Sequence, residues 1–214
     1  MNNSKIIRRG TPVIDGQLDS LYADSFHITM QAMEDVHYSA CGMDAAAKYM
    51  PNTHGTSYYL YDDSYIYVCT VVHDETICSR GKEWRMKGIW PWNDDGAEIY
   101  LWFSDEDCLA IHCDAHGIRG VIDEHIHGDH VSAGKYRDLP AGDWAASVDD
   151  DACTYTIEFR FPLPSYVGKG SEIGSILEID DRWAVGEGTE NLVGALYGVP
   201  RITNLPEHRA VLGE

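Results

Sequence analysis

The stretch that decides the fold runs Tyr58-Tyr59-Leu60-Tyr61-Asp62-Asp63-Ser64-Tyr65-Ile66-Tyr67-Val68-Cys69-Thr70-Val71-Val72. Two aromatic and apolar runs flank the turn-forming residues 62–64, and this arrangement predicts a β-hairpin. Residues 65–72 are apolar at nearly every position, whereas a strand covered on one face only would alternate. We therefore expect residues 65–72 to form a central strand of a sheet.

Strand patterns recur beyond this hairpin, and helical periodicity is nearly absent. Alternation predicts a strand over residues 98–103, with residues 108–113 as its partner across an acidic turn. A third run, residues 154–161, should end at Pro162 and Pro164, because proline cannot donate a ladder hydrogen bond. Its inward side chains are predicted to be Tyr155, Ile157, Phe159 and Phe161, and its solvated side chains Thr154, Thr156, Glu158 and Arg160.

The remaining pattern consists of short strands separated by turns rich in Gly, Asp and Pro. These strands are predicted at residues 173–179, 192–197 and 209–212, and one short helix is predicted at residues 44–50. We therefore predict an all-β fold, an antiparallel β-sandwich of two sheets of the jelly-roll or immunoglobulin-like type. It should form a single domain over residues 10–214, after an N-terminal extension of residues 1–9.

The charge balance excludes several partners. Among 214 residues, Lys and Arg total 16 and Asp and Glu total 35, which gives a formal net charge of −19. A field of that sign repels phosphate backbones and anionic bilayer surfaces, so we expect neither nucleic acid nor a membrane as a partner. Neutral ligands and cations fit this charge, and protein partners are left open.

Cysteine usage and the start of the chain bear on the compartment. The six cysteines show no CxxC spacing, and Cys69 and Cys153 lie in strand-like runs, where we expect small buried side chains. The first residues carry positive charge without a following apolar segment. We therefore expect a reducing, cytoplasmic location, with secretion as the alternative if an export signal was removed.

Residues 98–103 combine two different faces. Ile99, Leu101 and Phe103 should point into the core, while Glu98, Tyr100 and Trp102 share the opposite face. Aromatic rings beside a carboxylate are typical of a half-exposed ligand surface, although cross-strand packing is the more frequent role of such rings. This face is therefore the first candidate for a binding site.

Three blocks occur in an order that resembles the family 9 carbohydrate-binding modules. The first is Gly10-Thr11-Pro12-Val13-Ile14-Asp15-Gly16-Gln17-Leu18-Asp19, the second is the hairpin at residues 60–68 with Val72-His73-Asp74, and the third is Trp90-Pro91-Trp92-Asn93-Asp94-Asp95-Gly96-Ala97-Glu98-Ile99-Tyr100. The blocks cover the first half of the chain. The resemblance implies a β-sandwich related to DOMON-like domains, without catalytic activity of its own. It also implies association with glycoside hydrolases and with carbohydrate catabolism.

The resemblance also implies the binding residues. Trp92 falls on the family's stacking tryptophan and Glu98 on its sugar-binding glutamate, and the expected ligand is a small saccharide or a polysaccharide end. The position of the family's arginine falls near Ala110, and residues 198–204 contain no second tryptophan. Further candidates for contact with the sugar are Trp90, Tyr100, His112 and Tyr197, with Trp183 as an alternative to Tyr197. Structural calcium is implied by the resemblance alone.

These residue types suit a sugar. An indole covers the apolar C–H face of a pyranose ring, which is worth roughly 1–2 kcal/mol at about 25 cal/mol per Å². A carboxylate accepts hydrogen bonds from the ring hydroxyls, and such charge-assisted bonds are about twice as strong as neutral ones. One tryptophan and one glutamate therefore predict modest affinity unless another ring takes part.

A histidine-rich segment supports an alternative. His125, His127 and His130 lie in Asp123-Glu124-His125-Ile126-His127-Gly128-Asp129-His130, and on a strand His125 and His127 would share a face, with His130 folding back. Three imidazoles could bind zinc or another divalent ion, although an exposed polar loop is the simpler interpretation.

Three functions therefore compete. Non-catalytic sugar binding leads. The enzyme alternative is a metal-dependent hydrolase at these histidines, or a glycoside hydrolase that would need a pair of carboxylates, which nothing in the sequence singles out. The third is a sandwich that has lost sugar binding.

Overall fold

The structure, a computed structural model, describes residues 5–31, 36–39, 52–77, 95–105, 107–127, 130–133, 138–184, 192–197 and 208–214. Strands dominate these residues, and a short 3-10 turn at Ser20–Tyr22 follows β1. The strands are β1 Ile6–Arg9, β2 His27–Gln31, β3 Val36–Ser39, β4 His54–Tyr61, β5 Tyr65–His73, β6 Gly96–Trp102, β7 Asp107–Asp114, β8 Gly117–His127, β9 His130–Ala133, β10 Trp144–Asp149, β11 Thr154–Pro162, β12 Glu172–Ala184, β13 Leu192–Tyr197 and β14 Arg209–Leu212.

One layer, sheet I, is built around the predicted hairpin. Its strand order is β10-β11-β5-β4, all antiparallel, and β2 pairs with the other edge of β4. Because β5 lies between β11 and β4, the prediction of a central strand at residues 65–72 is confirmed.

The second layer, sheet II, has the order β14-β12-β6-β7-β8-β9. β13 pairs with the later part of β12, and β3 pairs with β13. The predicted pairing of residues 98–103 with residues 108–113 is confirmed by the β6–β7 ladder, in which Glu98 opposes His112. The central position of β6, between β12 and β7, places its side chains in the middle of the sheet.

β1 joins the two sheets. Ile6 and Ile7 pair in parallel with β14, and Arg8 and Arg9 pair in parallel with β4. Ile7 is 1% exposed and belongs to the core. The prediction that residues 1–9 form an extension outside the fold is therefore wrong for residues 6–9, whose mixed pattern of two isoleucines and two arginines gave no strand signal.

The hydrophobic core lies between the two sheets. Sheet I contributes aromatic side chains such as Tyr59, Tyr155 and Phe159, and sheet II contributes aliphatic ones such as Ile99 and Leu177. Polar atoms in this layer are paired across it, since the Tyr59 hydroxyl lies 2.7 Å from Ser175 Oγ and the Tyr155 hydroxyl donates to Gly96 O at 3.0 Å. This arrangement confirms the all-β, single-domain sandwich.

Two predictions about single side chains are wrong. Glu158 was expected in water but is fully buried, because residues 10–22 cross the outer face of sheet I above it. Cys153 was expected to be buried in a strand but is half-buried in the turn before β11, with φ of 52°. Cys69 is buried as predicted.

The predicted helix and the histidine-rich segment have different outcomes. The short helix predicted at residues 44–50 lies outside them. Residues 117–133, which include the histidine-rich segment, contribute β8 and β9 rather than a polar loop. Within the described residues, no helix is long and apolar enough to cross a membrane.

Candidate functional site

The outer face of sheet II, turned away from the core, carries a polar row across three adjacent strands. On β6, Glu98 opposes His112 of β7 on one side and Glu178 of β12 on the other. All three are buried, with exposed fractions of 7%, 2% and 4%. Strand alternation places their side chains opposite the core-facing Ile99 and Leu177.

The Glu98 carboxylate is held by its neighbours. One of its oxygens, Oε2, accepts a hydrogen bond from the Tyr100 hydroxyl. The other, Oε1, lies 3.5 Å from His112 Nδ1, within ion-pair distance when the imidazole is protonated. A carboxylate fixed in this way presents its remaining lone pairs in a defined direction, as an acceptor for hydroxyl groups must.

Aromatic and small apolar side chains continue the same face. Tyr100, Trp102, Cys108, Ala110 and Ile176 form a separate buried cluster there. The predicted sharing of one face by Glu98, Tyr100 and Trp102 is therefore confirmed, but the expectation that it is half-exposed is wrong. Ala110, opposite Tyr100, offers a methyl group where the resemblance expected an arginine near this position.

The structure describes the other residues predicted to contact the sugar only in part. Trp90 and Trp92 lie outside the described residues. Tyr197 is paired with Ile179 across β13 and β12, and Ile179 faces the core. Trp183 pairs with Val193 across the same two strands.

The predicted histidine positions converge on one hairpin. His127 of β8 is paired directly with His130 of β9, and His125 lies two residues earlier on β8, opposite Ser132. The backbone therefore has the hairpin form that the alternative required, and Glu98 lies two strands away on β6.

A cluster of three acidic residues, which the sequence did not reveal as a group, lies at one end of the core. Asp74 directly follows β5, Asp95 directly precedes β6, and Asp181 is on β12. One carboxylate oxygen of each lies within 4.8 Å of those of the other two, and all three residues are buried. Two of them were visible as parts of the second and third sequence blocks, but their convergence with Asp181 depends on the sheet topology.

The buried environment of this acidic cluster disfavours the simultaneous ionisation of its three carboxyl groups. Burial, and after it the charge of Asp181, raises the pKa of Asp74. Burial also raises the pKa of Asp181, against a hydrogen bond from the Thr53 hydroxyl. Each shift shows that the ionised carboxylate lacks solvation at this site.

The acidic cluster fits a hard cation. Asp74 Oδ1 accepts a hydrogen bond from Thr76 N at 2.8 Å, whereas Asp74 Oδ2 is buried without a hydrogen-bond partner among the described residues. Calcium takes six to eight oxygen ligands, mainly carboxylates and carbonyls, and this cluster offers oxygen alone. The three aspartates could therefore supply part of a calcium shell.

A polar cleft of about 510 Å³ lies on the opposite sheet. Gln17, Ser147 and Thr156 line it together with the acidic turn 149–151. Its lining contains none of the predicted sugar-binding residues, so the sequence candidates do not converge there.

Comparison with known proteins identifies the fold family. The family model described as "Carbohydrate family 9 binding domain-like" matches residues 14–191. No curated protein sequence matches the chain significantly.

Two solved structures of a carbohydrate binding module family 9 from Caldicellulosiruptor kristjanssonii are similar to this chain. The complex with cellotriose is 14% identical, with a TM-score of 0.57 over 97% of this chain and 92% of that one. The complex with glucose is 14% identical, with a TM-score of 0.58 over 98% of this chain and 95% of that one. At this identity the likeness supports the shared fold.

Proposed function

Because the chain belongs to the carbohydrate family 9 binding domain-like family, we propose that it is a non-catalytic domain that binds a small saccharide or the end of a polysaccharide. Two of its structural neighbours are complexes with cellotriose and glucose, which supports a gluco-configured ligand. A role in glycan catabolism beside a glycoside hydrolase belongs to the same proposal.

The proposed binding mode uses one ring and one carboxylate. Trp92 stacks on the C–H face of the sugar, and Glu98, six residues later, accepts hydrogen bonds from the hydroxyls. Tyr100 keeps the Glu98 carboxylate in place, so less side-chain entropy is lost on binding. His112 lies on the other side of that carboxylate and restricts it further.

The observation that carries this proposal is the fixed Glu98 carboxylate, which stands between His112 and Glu178 and beside the aromatic and apolar cluster of the same face. A buried carboxylate costs free energy unless partners satisfy it, so it must have a structural or a binding role. Sugar hydroxyls would bond its free lone pairs.

Calorimetric titration with glucose, cellobiose and cellotriose tests the binding mode. Glu98→Gln should weaken binding about tenfold or more, since hydrogen bonds to charged groups contribute about 1.5–3 kcal/mol. Trp92→Ala should weaken binding about 5- to 30-fold, because the lost stacking is worth roughly 1–2 kcal/mol.

Matched controls separate binding from folding. Glu172 and Tyr166 are an exposed glutamate and an exposed tyrosine elsewhere on the surface, so Glu172→Gln and Tyr166→Ala should leave sugar affinity unchanged. Unchanged affinity in both folded site variants would place the site elsewhere. If wild type binds none of a broad glycan panel, the domain has lost sugar binding.

We further propose that Asp74, Asp95 and Asp181 hold a structural calcium ion. A bound calcium would neutralise the acidic cluster between the end of β5 and the start of β6, two elements that belong to different sheets. The ion would contribute to stability, because a ligand that binds only the native state raises the free energy of unfolding.

Thermal unfolding in chelator and in calcium tests this proposal. Calcium should raise the Tm of wild type, and Asp181→Asn should abolish that rise even if the loss of a buried charge stabilises the metal-free form. Asp150→Asn, a change in an exposed acidic turn, serves as the control. A calcium response that survives Asp181→Asn would contradict the assignment.

A further inference from the structure

The indole of Trp102 carries a buried polar group without a partner. Trp102 is the last residue of β6 and is 3% exposed. Its Nε1–H has no hydrogen-bond acceptor among the residues that the structure describes. A buried tryptophan N–H usually finds an acceptor, because leaving it unpaired costs free energy. An unpaired N–H in a native protein therefore indicates that a ligand or an ordered water completes it.

Trp102 lies on the face that carries the proposed sugar site. It stands four residues after Glu98 on the same strand, and residues at i, i+2 and i+4 share a face. The Cα atoms of Glu98 and Trp102 are about 13 Å apart at about 3.3 Å per residue, so one disaccharide can contact both residues. The sequence predicted Trp102 on this face but did not predict it as a contact residue.

The side chains around Trp102 are small or apolar. Ala110 and Ile176, which belong to the same buried cluster, are hydrocarbon. Cys108 is paired directly with Trp102 and has only a weakly polar thiol. On the other flank Trp102 is paired with Gly174, and a glycine inside a strand is often a point where a ligand or another backbone approaches closely. A ligand group here therefore meets one strong donor in apolar surroundings.

A single donor in apolar surroundings selects a carbonyl oxygen. A hydroxyl could accept the N–H bond, but its own proton would then need an acceptor that hydrocarbon side chains do not supply. An acetamido group accepts through its carbonyl oxygen, and its methyl group gains free energy by burial. In a trans amide the N–H points away from the C=O, and here that direction leads toward the carboxylates of Glu98 and Glu178.

On the basis of the saccharide site proposed above, we infer that its ligand is an N-acetylated oligosaccharide whose acetamido carbonyl accepts a hydrogen bond from Trp102 Nε1–H. Glu98 accepts hydrogen bonds from the hydroxyls, and the acetamido methyl group packs on the apolar cluster. An N-acetylglucosamine unit keeps the gluco configuration of the sugars in the two neighbouring structures. Trp102 thus sets the preference for acetamido over hydroxyl, whereas Glu98 serves both kinds of sugar.

Calorimetric titration of the full chain with cellobiose and with N,N′-diacetylchitobiose tests this preference. The two disaccharides differ only in having a hydroxyl or an acetamido group at carbon 2 of each ring. Wild type should bind N,N′-diacetylchitobiose about tenfold more tightly, because the acetamido group adds one hydrogen bond and one buried methyl group.

Trp102→Phe keeps an aromatic ring but lacks the N–H. It should weaken the binding of N,N′-diacetylchitobiose about 2- to 12-fold, the equivalent of one neutral hydrogen bond, and leave cellobiose affinity within about twofold. Trp144→Phe is the matched control, because Trp144 is a half-buried tryptophan at the start of β10, in the other sheet. It should change neither affinity.

NMR of the wild-type protein gives a readout that does not depend on the folding of a variant. Saturation with N,N′-diacetylchitobiose should shift the Trp102 Nε1–H resonance downfield and slow its hydrogen exchange, whereas cellobiose should leave it almost unchanged.

Three results would overturn the role of Trp102: equal affinity of wild type for the two sugars, equal losses for both in Trp102→Phe, or a Trp102 resonance that the acetylated sugar does not move. An ordered water would then be the partner of the N–H. Cellobiose binding in those cases still supports the proposed function, whereas binding of neither sugar removes both proposals.

Discussion

At the scale of single residues, Glu158 shows how a polar side chain can organise a sandwich. It was predicted to face water because it alternates with Ile157 and Phe159, but it accepts hydrogen bonds from Asp15 N at 3.1 Å and Gly16 N at 3.2 Å. The Tyr22 hydroxyl donates to its other oxygen at 3.1 Å. Glu158 therefore fixes the Asp-Gly turn of the first sequence block over sheet I.

We expect Glu158→Ala to destabilise the domain by about 2–4 kcal/mol. The substitution leaves two backbone N–H groups and one buried hydroxyl without their acceptor, and each unsatisfied group costs about 1–3 kcal/mol before relaxation. Urea unfolding measures the loss. Glu172→Ala, at an exposed site, should change stability by less than about 0.5 kcal/mol, and a similar loss in both variants would contradict the assigned role.

The pH dependence of stability should also report on Glu158. Burial is the largest influence and raises its pKa above the usual range, although the two N–H donors and Tyr22 act in the opposite direction. The native state therefore holds the proton more tightly than the unfolded state. The contribution of Glu158 to the free energy of unfolding is therefore fully present below the pKa that this carboxyl has in the unfolded state. It is lost as pH rises through the raised native pKa.

Glu158→Gln removes this titration, so the variant isolates its effect. The difference in the free energy of unfolding, wild type minus Glu158→Gln, should fall as pH rises from about 4 toward 7. Urea titrations at several pH values measure it. A difference that rises over that range would mean that the N–H donors, rather than burial, dominate the native pKa.

At the scale of elements, the turn between β7 and β8 closes one side of the sandwich. Gly117 has φ of +133°, and a Cβ placed there would lie 2.1 Å from the ring of Trp144, the first residue of β10. The indole of sheet I thus packs directly on the backbone of sheet II. Only glycine combines this conformation with this close approach.

Gly117→Ala should therefore destabilise the domain more than Gly142→Ala does. Both glycines have positive φ, but Gly142 has φ of +90° and nothing within 4 Å of the methyl group that alanine would add, so it shows the backbone strain alone. We expect Gly142→Ala to lower the free energy of unfolding by about 1 kcal/mol. Gly117→Ala should lower it by at least about 2 kcal/mol more, because overpacking adds to the backbone strain. Equal losses in thermal unfolding would mean that the ring simply turns aside.

The sequence predicted elements where one strand carries its own signal. β5, β6 and β11 were found because aromatic and β-branched residues repeat with a strand period. β1 and β10 were missed because their sequences, IIRR and WAASVD, are short and mixed. The face shared by Glu98 and Tyr100 was predictable from alternation, but its burial depends on distant chain segments and was not.

At the scale of the whole molecule, the same two strands serve two proposed sites. β6 begins directly after Asp95 and carries Glu98, and β12 carries both Glu178 and Asp181. Residues three apart on a strand point to opposite faces, so the acidic cluster lies on the core side and the polar row on the outer side. A cation that fixes the start of β6 would thereby also fix the backbone that carries Glu98.

The two sheets are joined through β1, and this connection makes a prediction about neighbouring isoleucines. Ile7 is buried at 1% exposure between β14 and β4, while Ile6 on the same strand is 44% exposed. Ile7→Ala should cost about 2–5 kcal/mol through the lost transfer free energy and the cavity. Ile6→Ala should cost less than about 1 kcal/mol, since 44% of Ile6 stays exposed after folding and the substitution leaves no enclosed cavity.

Urea unfolding of both isoleucine variants, followed by tryptophan fluorescence and by circular dichroism, measures these costs. If β1 binds the sheets into one cooperative unit, both signals should shift together in Ile7→Ala and hardly move in Ile6→Ala. Similarly small losses in the two variants would show that residues 6–9 behave as part of the N-terminal extension that the sequence predicted. Two separate transitions in Ile7→Ala would show instead that each sheet unfolds on its own, and that β1 alone couples them.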